Sequence, residues 1–302
     1  MKIEHKHAEL PIYLFKQGNN FEAYRFFGAH MERQGDREGV VFRTWAPHAK
    51  AVCIVGDFNS WVPGSHPMQQ LEDTGIWEAF IPGIQEYDVY KYCITTPGDE
   101  LLFKADPYAF HAETRPSNGS KVYNLDGYQW QDDEWEARQK RADPINGPMN
   151  IYELHAGSWK RHPDGRWYTY RQLAGALIPW LKEQGYNFIE LLPLAEHPFD
   201  GSWGYQCTGY FSVTSRYGTP EEFAAFVDAC HQAGIGVLMD FVPVHFACNG
   251  DALARLDGGH LYEYDSDVGL SEWGSYNFNL YPGRGAQLLE QCRRLLAGGL
   301  SL

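Results

Sequence analysis

Four short apolar stretches follow one another in the first half of the chain, at residues 39–47, 51–61, 75–83 and 89–98. Gly, Pro, Asp and Asn residues lie between them, and these residue types favour turns. Short strands separated by turn residues at regular intervals are typical of antiparallel β-sandwiches. The pattern therefore predicts a small antiparallel β-sandwich between about residues 39 and 125.

The pattern changes after residue 149, where apolar strands alternate with amphipathic helices. Residues 150–159, 187–194 and 235–244 are predicted strands, and residues 170–186 and 219–234 are predicted helices. The second helix has recognisable ends: Thr219 as N-cap, Pro220 in the first turn, Glu222 three residues after the cap and Gly234 at the end. Alternation of this kind predicts a parallel sheet covered by helices, either a (β/α)₈ barrel or a doubly wound sheet.

Polar residues follow each of the three predicted parallel strands. They are His155, then Glu196 with His197, then Asp240 with His245. In parallel α/β folds the functional side chains lie at the carboxyl ends of the strands. Each residue alone could equally be a buried polar group with satisfied hydrogen bonds, but the recurrence at three strand ends favours a site.

The connection at residues 197–218 is too long for a plain link between a strand and a helix, and such long loops are usually functional. It is rich in aromatic side chains, namely Phe199, Trp203, Tyr205, Tyr210 and Phe211. Two interpretations stay open at this point. The rings form a local apolar cluster, or some of them line a subsite for a sugar, whose C–H bonds pack on aromatic faces.

Composition narrows the functional classes. The net charge of −14, from 25 basic and 39 acidic residues, argues against nucleic acid or an anionic membrane as partner. The charged N-terminus does not look like a signal peptide, and no run reaches the ~18 apolar residues of a membrane span. The six cysteines are scattered and form no CxxC pair, which indicates reduced thiols. We therefore expect a cytoplasmic protein.

Several motifs together resemble one family. HPFDGSWGYQCTGYFSVTSRYGTPEEF and CHQAGIGVLMDFVPVHF are similar to 1,4-α-glucan (glycogen) branching enzymes of the α-amylase superfamily. FRTWAPHAKAVCIVGDFNSW, KADPYA and NIYELHAGSW match the same enzymes in the same order, so that the resemblance covers about residues 24–281. It implies a multidomain chain: an antiparallel β-sandwich followed by the first part of an incomplete (β/α)₈ TIM barrel.

The resemblance also implies domain boundaries and site residues. The expected domains are an N-terminal segment (1–23), a glucan-binding-type sandwich (24–126), a linker (127–148) and the first part of the catalytic barrel (149–302). In the barrel, Tyr205 matches a tyrosine that stacks under the sugar at the cleavage subsite. Asp240 matches an aspartate that holds the charged groups in place, and His245 a histidine that bonds a sugar hydroxyl. The sequence departs from the family at Phe241 and Val244, where Trp and Gly are usual, and Val244 is expected to shift His245 slightly.

The chemistry that the resemblance implies is retaining transglycosylation, which cleaves an α-1,4 link and forms an α-1,6 branch. It requires two carboxyl groups about 5 Å apart across the sugar, a nucleophile and a general acid. In the family these lie on the fourth and fifth barrel strands, and no residue of this chain corresponds to them. We therefore expect the chain alone to be inactive. The calcium ligand of amylases is absent from the matching segment, so we also expect no metal, and we expect no cofactor.

The main alternative is a non-catalytic glucan-binding fragment in which the sandwich is the working part. There Trp61 and Lys91 correspond to sugar-contacting positions of related glycogen-binding modules, although Trp61 could equally be a packing residue beside a turn. A debranching or trehalose-releasing hydrolase of the same superfamily fits the loop at residues 199–206 less well. The expected partner is α-glucan (glycogen or amylose), and the sequence leaves the oligomeric state open.

The last 21 residues generate a prediction about the gene. The resemblance ends near residue 281. With suitable synonymous codons, the DNA that encodes residues 282–302 can be translated in the frame shifted by one base as RGEVRSFLSSAADYWLEVYHFD. This peptide resembles the helical segment that the family has next. We expect a one-base insertion near codon 282, either in the gene itself or as an error in its sequencing. Sequencing of the DNA checks this. The prediction is contradicted if the bases after codon 302, translated in the shifted frame, do not encode a continuation of the family's barrel.

Overall fold

The computed structural model describes residues 9–142, 147–280 and 284–299. Parts of three predicted segments lie outside these ranges: the start of the N-terminal segment, four positions of the linker, and both ends of the tail. The predicted domain boundaries and the predicted change of reading frame stay predictions. In the part of the chain that the structure describes, no helix combines the length and the apolar character that a membrane crossing needs.

Nine strands follow the first helix, α1 (Glu9–Lys16), and form two antiparallel sheets. In chain order they are β1 (Gly28–Gln34), β2 (Arg37–Trp45), β3 (Ala51–Gly56), β4 (Gln69–Gln70), β5 (Ile76–Pro82), β6 (Val89–Thr95), β7 (Leu101–Lys104), β8 (His111–Ala112) and β9 (Ser120–Lys121). The first sheet has the order β1-β2-β5-β4, and the second has the order β3-β6-β9-β8 with β7 also paired to β6. The predicted antiparallel sandwich is confirmed.

Strand β6 shows why the two sheets pack face to face. Side chains alternate between the two faces of a strand, and Tyr90, Tyr92 and Ile94 are fully buried in the main apolar core. The ring of Tyr90 meets Phe42 of the other sheet edge to face, with centroids 4.9 Å apart. Lys91 and Cys93 therefore lie on the opposite, outer face of the second sheet.

The linker contains one short helix, α2 (Asp133–Gln139), and packs on the barrel part of the chain. Asp132 accepts a hydrogen bond from His231 at 2.8 Å, and both side chains are buried. The indole of Trp135 stacks on the same imidazole, with ring centroids 4.7 Å apart. Tyr128 donates to Asp228 at 2.8 Å, so that the linker is bound to the helix that carries Asp228 and His231.

The barrel part alternates strands and helices as predicted. Its elements are β10 (Ile151–Leu154), α3 (Ala156–Trp159), α4 (Tyr170–Gln184), β11 (Phe188–Leu191), β12 (Ala195–Glu196), β13 (Gly209–Val213), α5 (Pro220–Gln232), β14 (Gly236–Met239), β15 (His245–Phe246), β16 (Tyr276–Asn277) and α6 (Arg284–Arg294). Strands β10, β11 and β14 form a parallel sheet in which Leu154, Leu191 and Met239 lie side by side. The predicted incomplete barrel is confirmed, since the described residues do not close it.

The helix ends are those that the sequence predicts for α5. Thr219 accepts from the Glu222 backbone N–H at 3.2 Å, and the Glu222 carboxylate accepts from the Thr219 N–H at 3.1 Å. This reciprocal pair satisfies two of the backbone donors that every helix start leaves free. The parallel strands are shorter than the apolar runs that contain them. After Leu191, Pro193 lacks the N–H that a ladder needs, and the strand ends.

The tail helix α6 packs between the N-terminal segment and the barrel. Leu288 and Cys292 are almost fully buried, and the Cys292 thiol donates to the Tyr210 carbonyl at 3.0 Å. On its other side the Gln291 amide donates to the Asn20 carbonyl at 2.7 Å. A π-helical turn, Leu295–Gly299, follows it. In the described residues the tail is thus an ordered helix with an apolar face.

The open edges of the parallel sheet generate a prediction. Within the described ranges β10 pairs only with β11, and Ile151 on β10 is 40% exposed. Because unpaired edges with apolar side chains associate, the 302-residue chain should self-associate, and Ile151→Lys should reduce this. Light scattering after gel filtration measures it.

Leu10→Lys is the matched control, since Leu10 is 64% exposed on helix α1, which has no strand edge, and should leave the association unchanged. A wild-type chain that elutes as a single monomeric species and melts in one cooperative transition would show that the edges are not exposed in this way.

Candidate functional site

Three side chains predicted from the sequence meet beyond the carboxyl end of β14. Asp240 directly follows the strand, and its backbone N–H donates to the Leu191 carbonyl at 2.8 Å, which continues the sheet hydrogen bonds. The Tyr205 hydroxyl donates to the Asp240 carboxylate at 2.5 Å. The His245 imidazole lies 3.1 Å from the Tyr205 carbonyl. The structure thus brings Tyr205, Asp240 and His245 into one hydrogen-bonded cluster.

The hydrogen bond of His245 identifies its tautomer. A carbonyl oxygen only accepts, so Nε2 of His245 carries the proton that it donates to Tyr205. Burial lowers the pKa of His245 below its ordinary value, which keeps the ring neutral near pH 7. Nδ1 of the neutral ring is then an unprotonated acceptor. The ring can accept a hydrogen bond from a ligand hydroxyl.

The Tyr205 hydroxyl keeps its proton over the whole physiological pH range. Burial raises its pKa to about 12, and the hydrogen bond to Asp240 acts in the same direction. The carboxylates of Glu153 and Glu190 contribute further. These two residues are opposite each other in the β10–β11 register. The cluster therefore lies in a negatively charged environment, suited to a neutral ligand with many hydroxyls.

The loop that carries Tyr205 is held by a buried ion pair. Arg216 donates to Glu196 at 2.7 Å and to Asp200 at 2.9 Å, and its side chain is 1% exposed. The Glu196 carboxylate also accepts from the Ser215 backbone N–H at 2.7 Å. Asp200 pairs in addition with Arg115 of the sandwich at 2.8 Å. No sequence pattern indicated Arg216, because residue types alone do not distinguish a buried arginine from an exposed one.

Glu196, His197 and His155, which also follow strand ends, are not part of the cluster. Glu196 holds the loop through Arg216, as described above. His197 is buried, its ring bonds the Ala195 carbonyl at 2.9 Å, and burial lowers its pKa to about 4. His155 stacks on the half-exposed Trp203, with ring centroids 5.7 Å apart. For Glu196 and His197 the alternative of a satisfied buried polar group is the one that the structure supports.

The tail encloses one side of the cluster. A mostly apolar cavity of about 30 Å³ is lined by Tyr205, Asp240 and Phe241 together with Cys292 and Leu295 of the tail. A space of this size admits water molecules but not a sugar ring. Access for a sugar therefore requires a side of the cluster that the tail does not cover. Two exposed indoles belong to the loops of this part of the chain, Trp203 at 52% and Trp273 at 76% exposure.

The two sandwich candidates share the outer face of the second sheet. Val55 and Lys91 are opposite each other in the β3–β6 register, and Trp61 packs on Val55. Trp61 has a positive φ of 60°, and its indole N–H donates to Asp57 at 2.7 Å. Lys91 donates to Asn118, which in turn donates to Asp251 of the barrel part, both at 2.5 Å. Trp61 is thus available to a ligand, whereas Lys91 already takes part in an interdomain contact.

No metal site accompanies these residues in the described ranges, where no three His, Cys, Asp or Glu side chains are grouped closely enough to hold an ion. Burial lowers the pKa of Lys91, in keeping with its position between the two parts of the chain.

Comparison with known proteins agrees with this arrangement. Residues 26–109 match Carbohydrate-binding module 48 (Isoamylase N-terminal domain), and residues 173–256 match the alpha amylase catalytic domain. The 1,4-alpha-glucan branching enzyme GlgB of Bacillus caldolyticus is 50% identical over 275 residues, which is 90% of this chain. Over most of its own length this chain is similar in sequence to branching enzymes. The GlgB enzymes of Nitrosomonas europaea and Bacillus subtilis are 52% and 49% identical, each over 89% of the chain.

The chain spans about two fifths of these relatives, namely 41%, 37% and 43% of their lengths. Two solved structures share its fold. A putative alpha amylase from Salmonella typhimurium has a TM-score of 0.69 at 24% identity and covers 91% of this chain and 42% of its own. Pullulanase from Bacillus acidopullulyticus has a TM-score of 0.67 at 20% identity, over 94% of this chain and 39% of its own.

The ion pair of Arg216 generates a stability prediction. Arg216→Ala leaves the Glu196 carboxylate buried without its charged partner, which should lower the free energy of unfolding by about 3–5 kcal/mol. Urea unfolding followed by circular dichroism measures the difference.

Arg171→Ala is the control. Arg171 pairs with Glu222 at 3.2 Å, but its side chain is 61% exposed, so the loss should stay below about 1 kcal/mol. Equal losses for the two variants would mean that the Arg216 pair contributes no more than an exposed one.

Proposed function

We propose that the protein acts in glycogen branching by retaining transglycosylation, in which an α-1,4-glucan link is cleaved and an α-1,6 branch is formed. The observation that carries the proposal is the hydrogen-bonded cluster of Tyr205, Asp240 and His245 beyond strand β14. The naming of relatives about 50% identical as branching enzymes supports the same activity. The proposed partner is α-glucan, with neither nucleic acid nor membrane involved, and the proposed location is cytoplasmic.

Each member of the cluster has a proposed part in holding one glucosyl unit. The Tyr205 ring provides a face for the sugar, and its hydroxyl fixes the Asp240 carboxylate at 2.5 Å. The second oxygen of that carboxylate can accept from a sugar hydroxyl. His245 donates through Nε2 to the backbone of Tyr205, so its Nδ1 is the atom that accepts from another hydroxyl.

The proposal assigns to these residues contacts with the sugar that strengthen in the transition state, and not the roles of nucleophile or general acid. Retention requires a nucleophile and a general acid about 5 Å apart on opposite sides of the bond that is cleaved. The Asp240 carboxylate is hydrogen-bonded to Tyr205, and Glu153 and Glu190 belong to the strands themselves rather than to their carboxyl ends. From the resemblance, both reacting carboxyls are expected on the fourth and fifth strands. We therefore propose that this chain alone does not catalyse branching.

The second candidate function is glucan binding without catalysis. The position of Trp61 and Lys91 on one outer face of the sandwich favours it, as does the match to a carbohydrate-binding module. Trp61 is the stronger of the two candidates, because an indole at a loop tip can pack on a sugar ring. Both functions can belong to the same protein.

The test uses a chain extended through the remainder of the barrel. Asp240→Asn and His245→Ala should each lower kcat at least about 100-fold with little change in KM, because their contacts matter most in the transition state. Branching is measured by the fall in iodine absorbance of amylose. The 302-residue chain should give no fall, yet should sediment with glycogen.

The control is Asp99→Asn, an aspartate on a sandwich hairpin whose side chain is 75% exposed, and it should keep full activity. Near wild-type branching in the Asp240 or His245 variant would contradict the assignment. Sedimentation without branching in the extended wild-type chain would leave glucan binding as the function.

A further inference from the structure

Two cysteines face each other across neighbouring strands of the sandwich. In the β3–β6 register Cys53 is directly opposite Cys93. Residues in this relation have Cα atoms about 4.5–5.5 Å apart. A disulfide spans Cα separations of about 4.4–6.8 Å. The backbone thus holds the two residues at a distance that a disulfide can bridge, although both thiols are free here.

The pair has its own environment, separate from the main cores. Cys53, Cys93 and Val55 form a small buried cluster on the outer face of the second sheet, with Trp61 packed against it. Cys53 is 8% exposed and Cys93 is 1% exposed. The loop that covers Cys53 is itself exposed at residues 62–65. A small reagent therefore reaches Cys53 first, through a surface loop and not through the core.

We propose that Cys53 and Cys93 are a dithiol site that low-molecular-weight disulfides convert into a cross-strand disulfide. The Cys53 thiolate attacks one sulfur of the reagent RSSR, forms a mixed disulfide and expels RS⁻. Cys93 loses its proton and attacks the Cys53 sulfur, which expels the second RS⁻. The two protein thiols are oxidised by two electrons, and RSSR is reduced to two RSH.

Exposure and one backbone hydrogen bond assign the order of attack. Cys53 is the more exposed of the two, and the Gly64 backbone N–H donates to its sulfur at 3.2 Å, which favours its thiolate. The interaction between the neighbouring thiols acts in the same direction, lowering the pKa of Cys53 and raising that of Cys93. Since thiolates are the reactive form, Cys53 is the attacking residue and Cys93 the resolving one.

The other four cysteines lack this arrangement. Burial raises the pKa of Cys207, Cys230 and Cys292. Cys248 is exposed as a residue, but partial burial of its sulfur raises its pKa. It lies outside the strands, so no second cysteine is opposite it in a strand pair. The dithiol site is therefore distinct within the chain, and the inference does not depend on glucan chemistry.

The test uses the 302-residue chain with Cys248→Ser, which removes the exposed thiol as a source of single adducts. After native incubation with oxidised glutathione, the intact mass should fall by two hydrogen atoms, and alkylation of the unfolded protein should then modify two cysteines fewer than in the untreated chain. Digestion should give a peptide that links Cys53 to Cys93. The oxidised protein should also unfold at a higher urea concentration, since the new link restricts the unfolded chain.

Two further variants separate the steps. With Cys93→Ser the reaction should stop at one glutathione on Cys53. With Cys53→Ser neither adduct nor link should form, because Cys93 is almost inaccessible. A glutathione that stays on Cys53 while Cys93 is present would overturn the proposal. The proposal would also be overturned if Cys53 and Cys93 both stayed unreacted under conditions that modify Cys248 in the chain without the Cys248→Ser change.

Discussion

The ion pair between Arg216 and Glu196 is the interaction on which the candidate site depends. Arg216 follows strand β13 and Glu196 belongs to β12, so the pair joins the two ends of the intervening loop. That loop carries Tyr205, which in turn bonds Asp240 and His245. An arginine that is 1% exposed is costly to bury unless its hydrogen bonds are satisfied. Here Nε and Nη1 donate three bonds to two carboxylates and to Thr214, whereas Nη2 is buried without a hydrogen-bond partner among the described residues. These bonds hold the two ends of the loop together.

The same loop joins the barrel part to the sandwich. Asp200 bonds both Arg216 and Arg115, the latter from the sandwich side. Below it, the rings of Tyr108 and Phe211 stack with centroids 5.1 Å apart, and both are buried. The apolar core is therefore continuous between the two parts of the chain. The sandwich is not a module on a free tether, and its outer face is held at a fixed position relative to the loop.

Local signals in the sequence predicted the elements with clear ends and missed the contacts between distant residues. Helix α5 was predictable because its capping residues lie three positions apart. Resemblance identified Tyr205 and Asp240, but their hydrogen bond joins residues 35 positions apart, and no spacing rule contains it. Short strands such as β8 and β9 were missed because two residues carry no periodicity. Arg216 was missed because its burial depends on Glu196, which is 20 positions away.

Backbone hydrogen bonds hold His245 on both sides. The Val244 carbonyl accepts from the Phe278 N–H at 3.1 Å, and His245 is opposite Asn277 in the β15–β16 pair. The Tyr210 hydroxyl donates to the His245 carbonyl at 2.8 Å. Val244, where glycine is usual, is 55% exposed. The shift of the histidine that Val244 is expected to cause stays a prediction, and the backbone bonds on both sides limit how large it can be.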